Sequence, residues 1–417
     1  MDDENIYLAI AARAVGWAGF GLAETGGMKG ADMVIFETAN PMQIRDAHVL
    51  DTRFPIDDIC QDWILRNSSI DDGFIIFEAY RKLNTTDSQD RVIIDDSNPA
   101  VPAQIVIAAW GDSPTASYHG TDSVAQGSIR WYGNGDELTF VHEKLAVTSD
   151  GHFDLTVNYT IQPLETEYVD FCFTWDPDIL EQGVPNGTIT AIAAEVIPSD
   201  NSRSFVHHAD VFASTEAADG TNTCLSSYGY AIYSWTPGVQ PFLLPDEVGY
   251  TLGPSGEALQ SFRITMHYDN PKLQTNITDA TTLRVYYSLA PRQYELGIMG
   301  MGDVLKKLYG VEIPAGLSQY DFTCGSDCST LALTEPITVI QESFHMHRDG
   351  KSAVTYHIRN NEIIRQANVD FFDFEQTGKF SSTYGSCWHR NINVVLMLSW
   401  ILSHHRIAKS PTATVYH

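Results

Sequence analysis

Residues Phe205–Phe212 read FVHHADVF, a short run in which apolar and β-branched residues flank two adjacent histidines. This composition is typical of a half-buried β-strand. Because successive side chains of a strand point to opposite faces, His207 and His208 should face opposite ways. Both can bind one ion only where the strand ends, lies at a sheet edge or contains a bulge.

Two later strand-like runs carry three more histidines. His267 lies in SFRITMHYDNP, and His345 and His347 lie in SFHMHRDG, where a spacing of two places both on one strand face. Five imidazoles without a cysteine among them suit a borderline metal such as copper or zinc. The alternative for each is a hydrogen-bonded or surface histidine. Three such runs in order within about 140 residues favour a metal site.

The bulk composition limits the class of protein. A chain of 417 residues predicts two to three domains. The net charge of −28 would repel a phosphate backbone, which argues against nucleic-acid binding. The longest apolar run, Val394–Leu402, falls short of the roughly 20 residues that a membrane span needs, so we expect no membrane span in this chain.

Sequence signals of the cellular compartment point in two directions. The chain opens Met-Asp-Asp-Glu-Asn without a signal peptide, so either the protein is cytosolic or the chain lacks its true N-terminus. Cys60 is interpreted as a buried free thiol. Five N-x-S/T sequons in loop-like contexts would allow glycosylation. These sequons stand at Asn67, Asn84, Asn158, Asn186 and Asn276.

The first third of the chain reads as a β-sandwich. Residues 5–133 contain short strands with alternating or β-branched content between Gly, Asp and Pro punctuation. The run Gly26–Asp32, GGMKGAD, is a glycine turn that feeds a strand. With QDWIL and SYHG further on, it resembles the DOMON domain. Some DOMON relatives bind haem through a methionine and a histidine, so Met28 with His119 is an alternative haem site, and sugar binding is another alternative.

The remainder also reads as all-β. A polar stretch at 134–152 is expected to be a linker, and strands resume at Phe153–Tyr159. Met301–Tyr309 is the one helix candidate beyond the linker.

The segment Tyr233–Pro271 carries a second resemblance. Its runs SWTPG, PFLLPDEVGYTLG and SFRITMHYDNP resemble the copper type II, ascorbate-dependent monooxygenases. FVHHADVF precedes them, and LRVYYSLAPRQYELGIMGMG, FTCGSDC and QESFHMHRDGKSAV follow in the family's order. A DOMON domain in front is the order of the dopamine-β-hydroxylase-like branch.

The two resemblances together imply an all-β fold with five segments. A DOMON β-sandwich at 5–133 and the linker at 134–152 precede a jelly-roll-like copper domain at 153–288. A second copper domain of the same kind, incomplete here, follows at 289–389. The tail at 390–417 has no counterpart in the family.

The family resemblance also assigns metal ligands. It implies that His207, His208 and His267 hold the electron-delivering copper. His345 and His347 match two ligands of the second copper, where dioxygen binds and a substrate C–H bond is attacked. Neutral imidazoles hold both Cu(I) and Cu(II), and a thioether ligand favours Cu(I).

The sequence departs from the family at that thioether. The family's methionine lies in a Gly-Gly…Glu-Met-Cys hairpin, and no such hairpin exists here. Met397 is the only methionine beyond His347, and its setting, VVLMLSW, indicates a plain apolar residue. The run from Asn391 to His417 looks like a truncated or mis-spliced reading frame.

The cysteines follow the resemblance. Cys172 and Cys224 match positions that the family pairs in a disulfide. Cys324 and Cys328 match cysteines whose partners lie in the region that is missing here. They stay orphans unless they pair with each other or with Cys387.

The resemblance implies an oxidoreductase of the secretory pathway, either extracellular or in a vesicle lumen. It would hydroxylate an activated C–H carbon of a small substrate with O2 and ascorbate. Asp210, two residues past His208, could pair with a protonated substrate amine, or be an ordinary surface aspartate. The alternative is a catalytically impaired, secreted copper-binding protein that lacks the second copper's methionine. The sequence leaves oligomerisation open.

Overall fold

The computed structural model of the chain divides into two compact units, Met1–Gly135 with Met301–His417 and Asp136–Gly300. The described residues are 2, 4–50, 54–97, 101–120, 123–133, 135–216, 230–237, 239, 241–254, 256–297, 316–325, 337–340, 344, 346, 349–359, 362–373, 386–388 and 395–404. Among them, no helix is both long and apolar enough to cross a membrane.

The N-terminal part of the first unit is a two-sheet sandwich. A three-stranded sheet has the order β1-β7-β6, and a seven-stranded sheet has the order β10-β9-β8-β2-β3-β4-β5. The strands are β1 (Asn5–Ala12), β2 (Trp17–Leu22), β3 (Asp32–Glu37), β4 (Ile44–His48), β5 (Ile56–Asp57), β6 (Ile64–Asp71), β7 (Phe74–Lys82), β8 (Gln104–Gly111), β9 (Val124–Arg130) and β10 (Gly135–Asp136).

Aromatic and branched side chains join these two sheets. Phe36 of β3 and Phe77 of β7 stack at 5.6 Å between ring centroids, and neither is exposed. Alternation along β7 buries Ile75 and Phe77 and exposes Phe74 and Ile76. This pattern is that of a sheet with one face on the core, as the sequence predicts.

The C-terminal part of the first unit contains a four-stranded sheet of order β23-β28-β25-β26 and the pair β24-β27. The tail therefore supplies an inner strand of this sheet. The strands are β23 (Gly316–Cys324), β24 (Ile337–Val339), β25 (Gly350–Arg359), β26 (Glu362–Val369), β27 (Ser386–Trp388) and β28 (Val395–His404).

The second unit is also a sandwich. One sheet has the order β11-β21-β14-β18-β22, with β17 paired to β14, and another has the order β13-β19-β15-β16; β12 and β20 form a separate pair. The strands are β11 (Gly151–Thr156), β12 (Tyr159–Ile161), β13 (Thr166–Thr174), β14 (Ile189–Ile197), β15 (Val206–Ser214), β16 (Tyr230–Trp235), β17 (Phe242–Leu243), β18 (Val248–Leu252), β19 (Ser261–Asp269), β20 (Ile277–Asp279), β21 (Thr282–Ser288) and β22 (Tyr294–Glu295).

Alternation in the β13-β19-β15 strands decides which side chains face away from the core of this unit. In β19, Phe262, Ile264 and Met266 are buried in the core cluster, so His267 takes the opposite face. In β15, the buried Ala209 and Val211 alternate with His208 and Asp210. The histidines therefore gather on the outer face of the sheet.

Two sequence expectations were wrong. The predicted polar linker at 134–152 is largely a helix, α1 (Glu137–Thr148), because Val141 and Leu145, one turn apart, pack on Ile192 of β14. Cys60 is an exposed free thiol rather than a buried one. The all-β fold is confirmed, and the expected helix at 301–309 lies outside the described residues.

Candidate metal centre

A β-bulge brings the two adjacent histidines together. The pairing of β15 with β19 shifts register between Val206 and His208, which leaves His207 as the extra residue. A bulge turns a side chain out of the strict alternation of a strand. His207 and His208 can therefore both approach His267, which lies directly opposite His208. This meets the condition that the sequence set for two neighbouring ligands.

The three imidazoles converge through the same ring nitrogen. The Nδ1 atom of His207 lies 3.2 Å from that of His208 and 3.0 Å from that of His267, and the third side of the triangle is 3.3 Å. A point equidistant from three atoms at this spacing is about 1.8 Å from each, so a metal with nitrogen bonds of about 2.0 Å fits just above their plane. His267 is only 4% exposed.

A hydroxyl and a carboxylate lie on the far side of the His267 ring. Its Nε2 atom lies 2.6 Å from Oγ1 of Thr166. If Nε2 carries the ring proton and donates it to this hydroxyl, Nδ1 presents a lone pair to the centre of the triangle. Oδ1 of Asp269 lies 3.4 Å from the same Nε2, so a carboxylate supports the positive charge of an ion at this site.

An aromatic ring covers the centre. The ring of Tyr168 stacks on that of His267 at 4.1 Å with an interplanar angle of 7°, and it meets His208 edge-on at 5.8 Å. In the β13–β19 register Tyr168 is the direct partner of His267. The stack fixes the plane of the imidazole.

Asp210 takes part in the same arrangement. Its Oδ2 atom lies 3.7 Å from Nε2 of His208, and its Oδ1 atom accepts a hydrogen bond from Ser234. His208 with Asp210 and His267 with Asp269 thus repeat one spacing, His-x-Asp, on neighbouring strands. That repeat was visible in the sequence and was missed for Asp269. Thr166 and Tyr168 had no sequence signal, because only the strand register places them beside His267.

Several predicted residues stay untested. His345, His347, Cys224 and Cys328 lie outside the described residues, and the side chains of Cys324, Cys387 and Met397 are not described either. Cys172 is disulfide-bonded.

The haem alternative also stays a prediction. Met28 packs against an apolar cluster on one face of the seven-stranded sheet, together with Ala116. The Nδ1 atom of His119 lies 2.6 Å from the carbonyl oxygen of Gly120, and its ring lies 5.7 Å from that of Tyr118.

A cluster of buried carboxylates marks the first unit. Asp32, Asp46 and Asp90 approach one another closely, and the buried Arg81 lies 2.9 Å from Asp32 and 3.1 Å from Asp90. Burial raises the pKa of Asp46 to about 7 and that of Asp32 to about 6, although a hydrogen bond from the Asp62 backbone lowers the first and Arg81 lowers the second. Asp32 and Asp46 therefore stay protonated at pH values well above those at which an ordinary aspartate ionises.

Comparisons with known proteins agree with the strand pattern and the histidine motifs. Residues 1–101 match the DOMON domain. DBH-like monooxygenase protein 1 of Gallus gallus is 24% identical over 393 residues, 87% of this chain and 59% of that protein. The Homo sapiens protein of the same name is 24% identical over 399 residues, 89% of this chain and 61% of that protein. Dopamine beta-hydroxylase of Rattus norvegicus is 27% identical over 194 residues, 43% of this chain and 31% of that protein.

These matches confirm the resemblance predicted from the sequence. The chain spans less than two thirds of the length of the relatives it matches. It carries a DOMON domain and is homologous to DBH-like monooxygenase proteins and to dopamine beta-hydroxylase.

Proposed function

We propose that this homologue of the DBH-like monooxygenases is itself a copper- and ascorbate-dependent monooxygenase. It would hydroxylate an activated C–H carbon of a small, amine-bearing substrate. The balance is R–H + O2 + 2 electrons + 2 protons giving R–OH + H2O, with both electrons from ascorbate. Copper, when bound, would pass these electrons from ascorbate to dioxygen.

The convergence of three Nδ1 atoms, each within 3.3 Å of the other two, carries the proposal. Three neutral imidazoles suit copper in both oxidation states, which an electron-delivering site requires. His207, His208 and His267 would hold the ion, and Thr166 would orient His267. His345 and His347 would hold the second copper.

Asp210 is proposed to bind the substrate amine. Its side chain is 36% exposed, so a ligand can reach it. Ser234 holds one carboxylate oxygen, which fixes the group in one orientation. A carboxylate fixed in this way could form an ion pair with a protonated substrate amine.

The test is a copper titration of the wild-type chain and His267→Ala. We expect His267→Ala to lose one tightly bound ion per chain, because two imidazoles cannot replace three. The sandwich should stay folded by circular dichroism, since His267 faces away from the core. His119→Ala removes an imidazole of the other unit and should bind as much copper as the wild type. Equal copper in His267→Ala and wild type would refute the metal site.

One observation favours a second candidate, a copper-binding protein with an impaired second site. Met397 is the only methionine beyond His347, and it lies within β28, opposite Thr323 and Tyr356. Ascorbate-driven oxygen uptake with two bound coppers supports the monooxygenase. One bound copper without uptake supports the second candidate.

The proposed site of action is the secretory pathway. All five sequon asparagines are exposed, so an oligosaccharide could be attached without unfolding the chain. Disulfide-bonded Cys172 fits an oxidising compartment. Material expressed through a secretory route should lose mass on enzymatic deglycosylation, and an unchanged mass would contradict this localisation.

A further inference from the structure

The loop at residues 23–31, between β2 and β3, contacts a short segment that follows β26. Glu24, Lys29 and Gly30 lie on the loop, and Asp370–Phe372 forms the segment. Both parts belong to the same compact unit although about 340 residues separate them in sequence.

Glu24 bonds two successive amides of the segment. Its Oε1 accepts the backbone N–H of Asp370 at 3.0 Å, and its Oε2 accepts that of Phe371 at 2.9 Å. Hydrogen bonds to an ionised carboxylate are stronger than those between neutral groups. Arg91 lies 3.4 Å from Oε2 of Glu24 and also donates to the carbonyl oxygen of Gly30 at 2.6 Å, so it holds both ends of the loop.

Lys29, toward the C-terminal end of the loop, contacts Phe372, the last residue of the segment. Lys29 Nζ donates to the carbonyl oxygen of Phe372 at 3.1 Å, while the Phe372 N–H donates to the carbonyl of Lys351 at 2.7 Å. The ring of Phe371 lies so close to Gly30 that a Cβ there would come within 2.4 Å of it. Gly30 also has φ +64°, so the position favours glycine for two independent reasons.

The side chain of Phe372 belongs to an apolar cluster separate from the core of the N-terminal sandwich. It is 1% exposed and packs in one cluster with Phe344 and Met346, which are 5% and 2% exposed. In sequence these two residues flank His345 on either side, and His347 follows at once.

We propose that the Glu24–Gly30 loop is a docking clamp for Asp370–Phe372, through which the DOMON domain holds Phe344 and Met346 in their common apolar cluster. Glu24, Lys29 and Gly30 are positioning residues. The docking does not depend on the proposed function; only the role of His345 and His347 as copper ligands does.

Hydrogen–deuterium exchange of the full chain tests the clamp without requiring copper or activity. In Glu24→Gln the amide nitrogen of glutamine opposes one of the two backbone donors. We expect exchange in a peptide covering 366–373 to accelerate on the order of tenfold or more, and exchange around Phe344 to follow. Glu78→Gln removes a carboxylate from an exposed position of β7 and should leave both peptides unchanged.

The reciprocal variant leaves the DOMON sequence intact. Phe371→Ala removes the ring against Gly30 and should accelerate exchange at 23–31, whereas Ile363→Ala, at an exposed position of β26, should not. The proposal would be overturned if residues 366–373 exchanged as slowly in Glu24→Gln as in the wild type. It would also be overturned if residues 23–31 exchanged as slowly in Phe371→Ala as in the wild type. Peptides from β3 and β19 report whether each variant is folded.

Discussion

At the scale of single residues, the orientation of His267 depends on Thr166. Oγ1 of Thr166 lies 2.6 Å from Nε2 of His267 and can accept the proton of that nitrogen, which would direct the lone pair of Nδ1 toward a metal. Mutation of a group that holds a metal-ligating histidine in this way typically lowers the metal affinity by about 10- to 100-fold. The hydroxyl should therefore matter although it does not touch the ion.

Thr166→Ala should weaken copper binding at the first site by about 10-fold or more, and Thr166→Ser should restore it. Competition with a copper chelator of known affinity measures the change. Thr160→Ala, at an exposed position of β12, is the matched control. A Thr166→Ser variant as weak as Thr166→Ala would indicate that the lost methyl group, not the hydroxyl, is responsible.

The sequence singled out the three histidines that converge in the structure, but not the residues that surround them. His207, His208 and His267 could be chosen because imidazoles in strand-like runs are a chemical signal in themselves. The requirement for a bulge also followed from strand geometry, and the structure has one at His207. Tyr168 and Thr166 could not be chosen, because the register between β13 and β19 is set by long-range packing.

At the scale of elements, sequence patterning did not predict the helix α1. The sequence around this helix is polar. The helix packs on the core mainly through Val141 and Leu145, which are 2% and 1% exposed. Such a narrow apolar stripe gives a weak helical period. The strands were predictable because alternation and β-branched content recur throughout them.

Leu145→Ala should lower the free energy of unfolding of the second unit by about 2–4 kcal/mol, since it removes a fully buried side chain. Val147→Ala, on the same helix at a position that is 82% exposed, should change it by less than about 0.5 kcal/mol. Urea unfolding measures both. Equal effects from the two variants would mean that α1 does not pack as described.

At the scale of the whole molecule, the two units should respond to different stimuli. The histidine centre lies in Asp136–Gly300, whereas the cluster of buried carboxylates lies in the other unit. A ligand that binds only the folded state stabilises the unit that holds its site. Copper should therefore act on the second unit, and pH on the first through its buried acids.

Asp46 makes the pH response specific. Burial, together with the nearby Asp90, Asp32 and Asp58 carboxylates, raises its pKa to about 7 against the lowering effect of a hydrogen bond from the Asp62 backbone. An unfolded aspartate titrates near about 3.9. The folded state thus holds a proton that the unfolded state releases, so this contribution to stability is complete below about pH 4 and is lost as pH rises through about 7.

The stability of the first unit should therefore fall between pH 5 and pH 7 by up to about 1.4 kcal/mol per pH unit from this group. Asp46→Asn cannot titrate and should flatten that slope, while Asp71→Asn, at an exposed position, should keep it. Urea midpoints at pH 5, 6 and 7 give the three slopes. The difference between the slopes reports Asp46 together with the carboxylates that interact with it, and parallel curves for wild type and Asp46→Asn would show that its carboxyl is already ionised at pH 5.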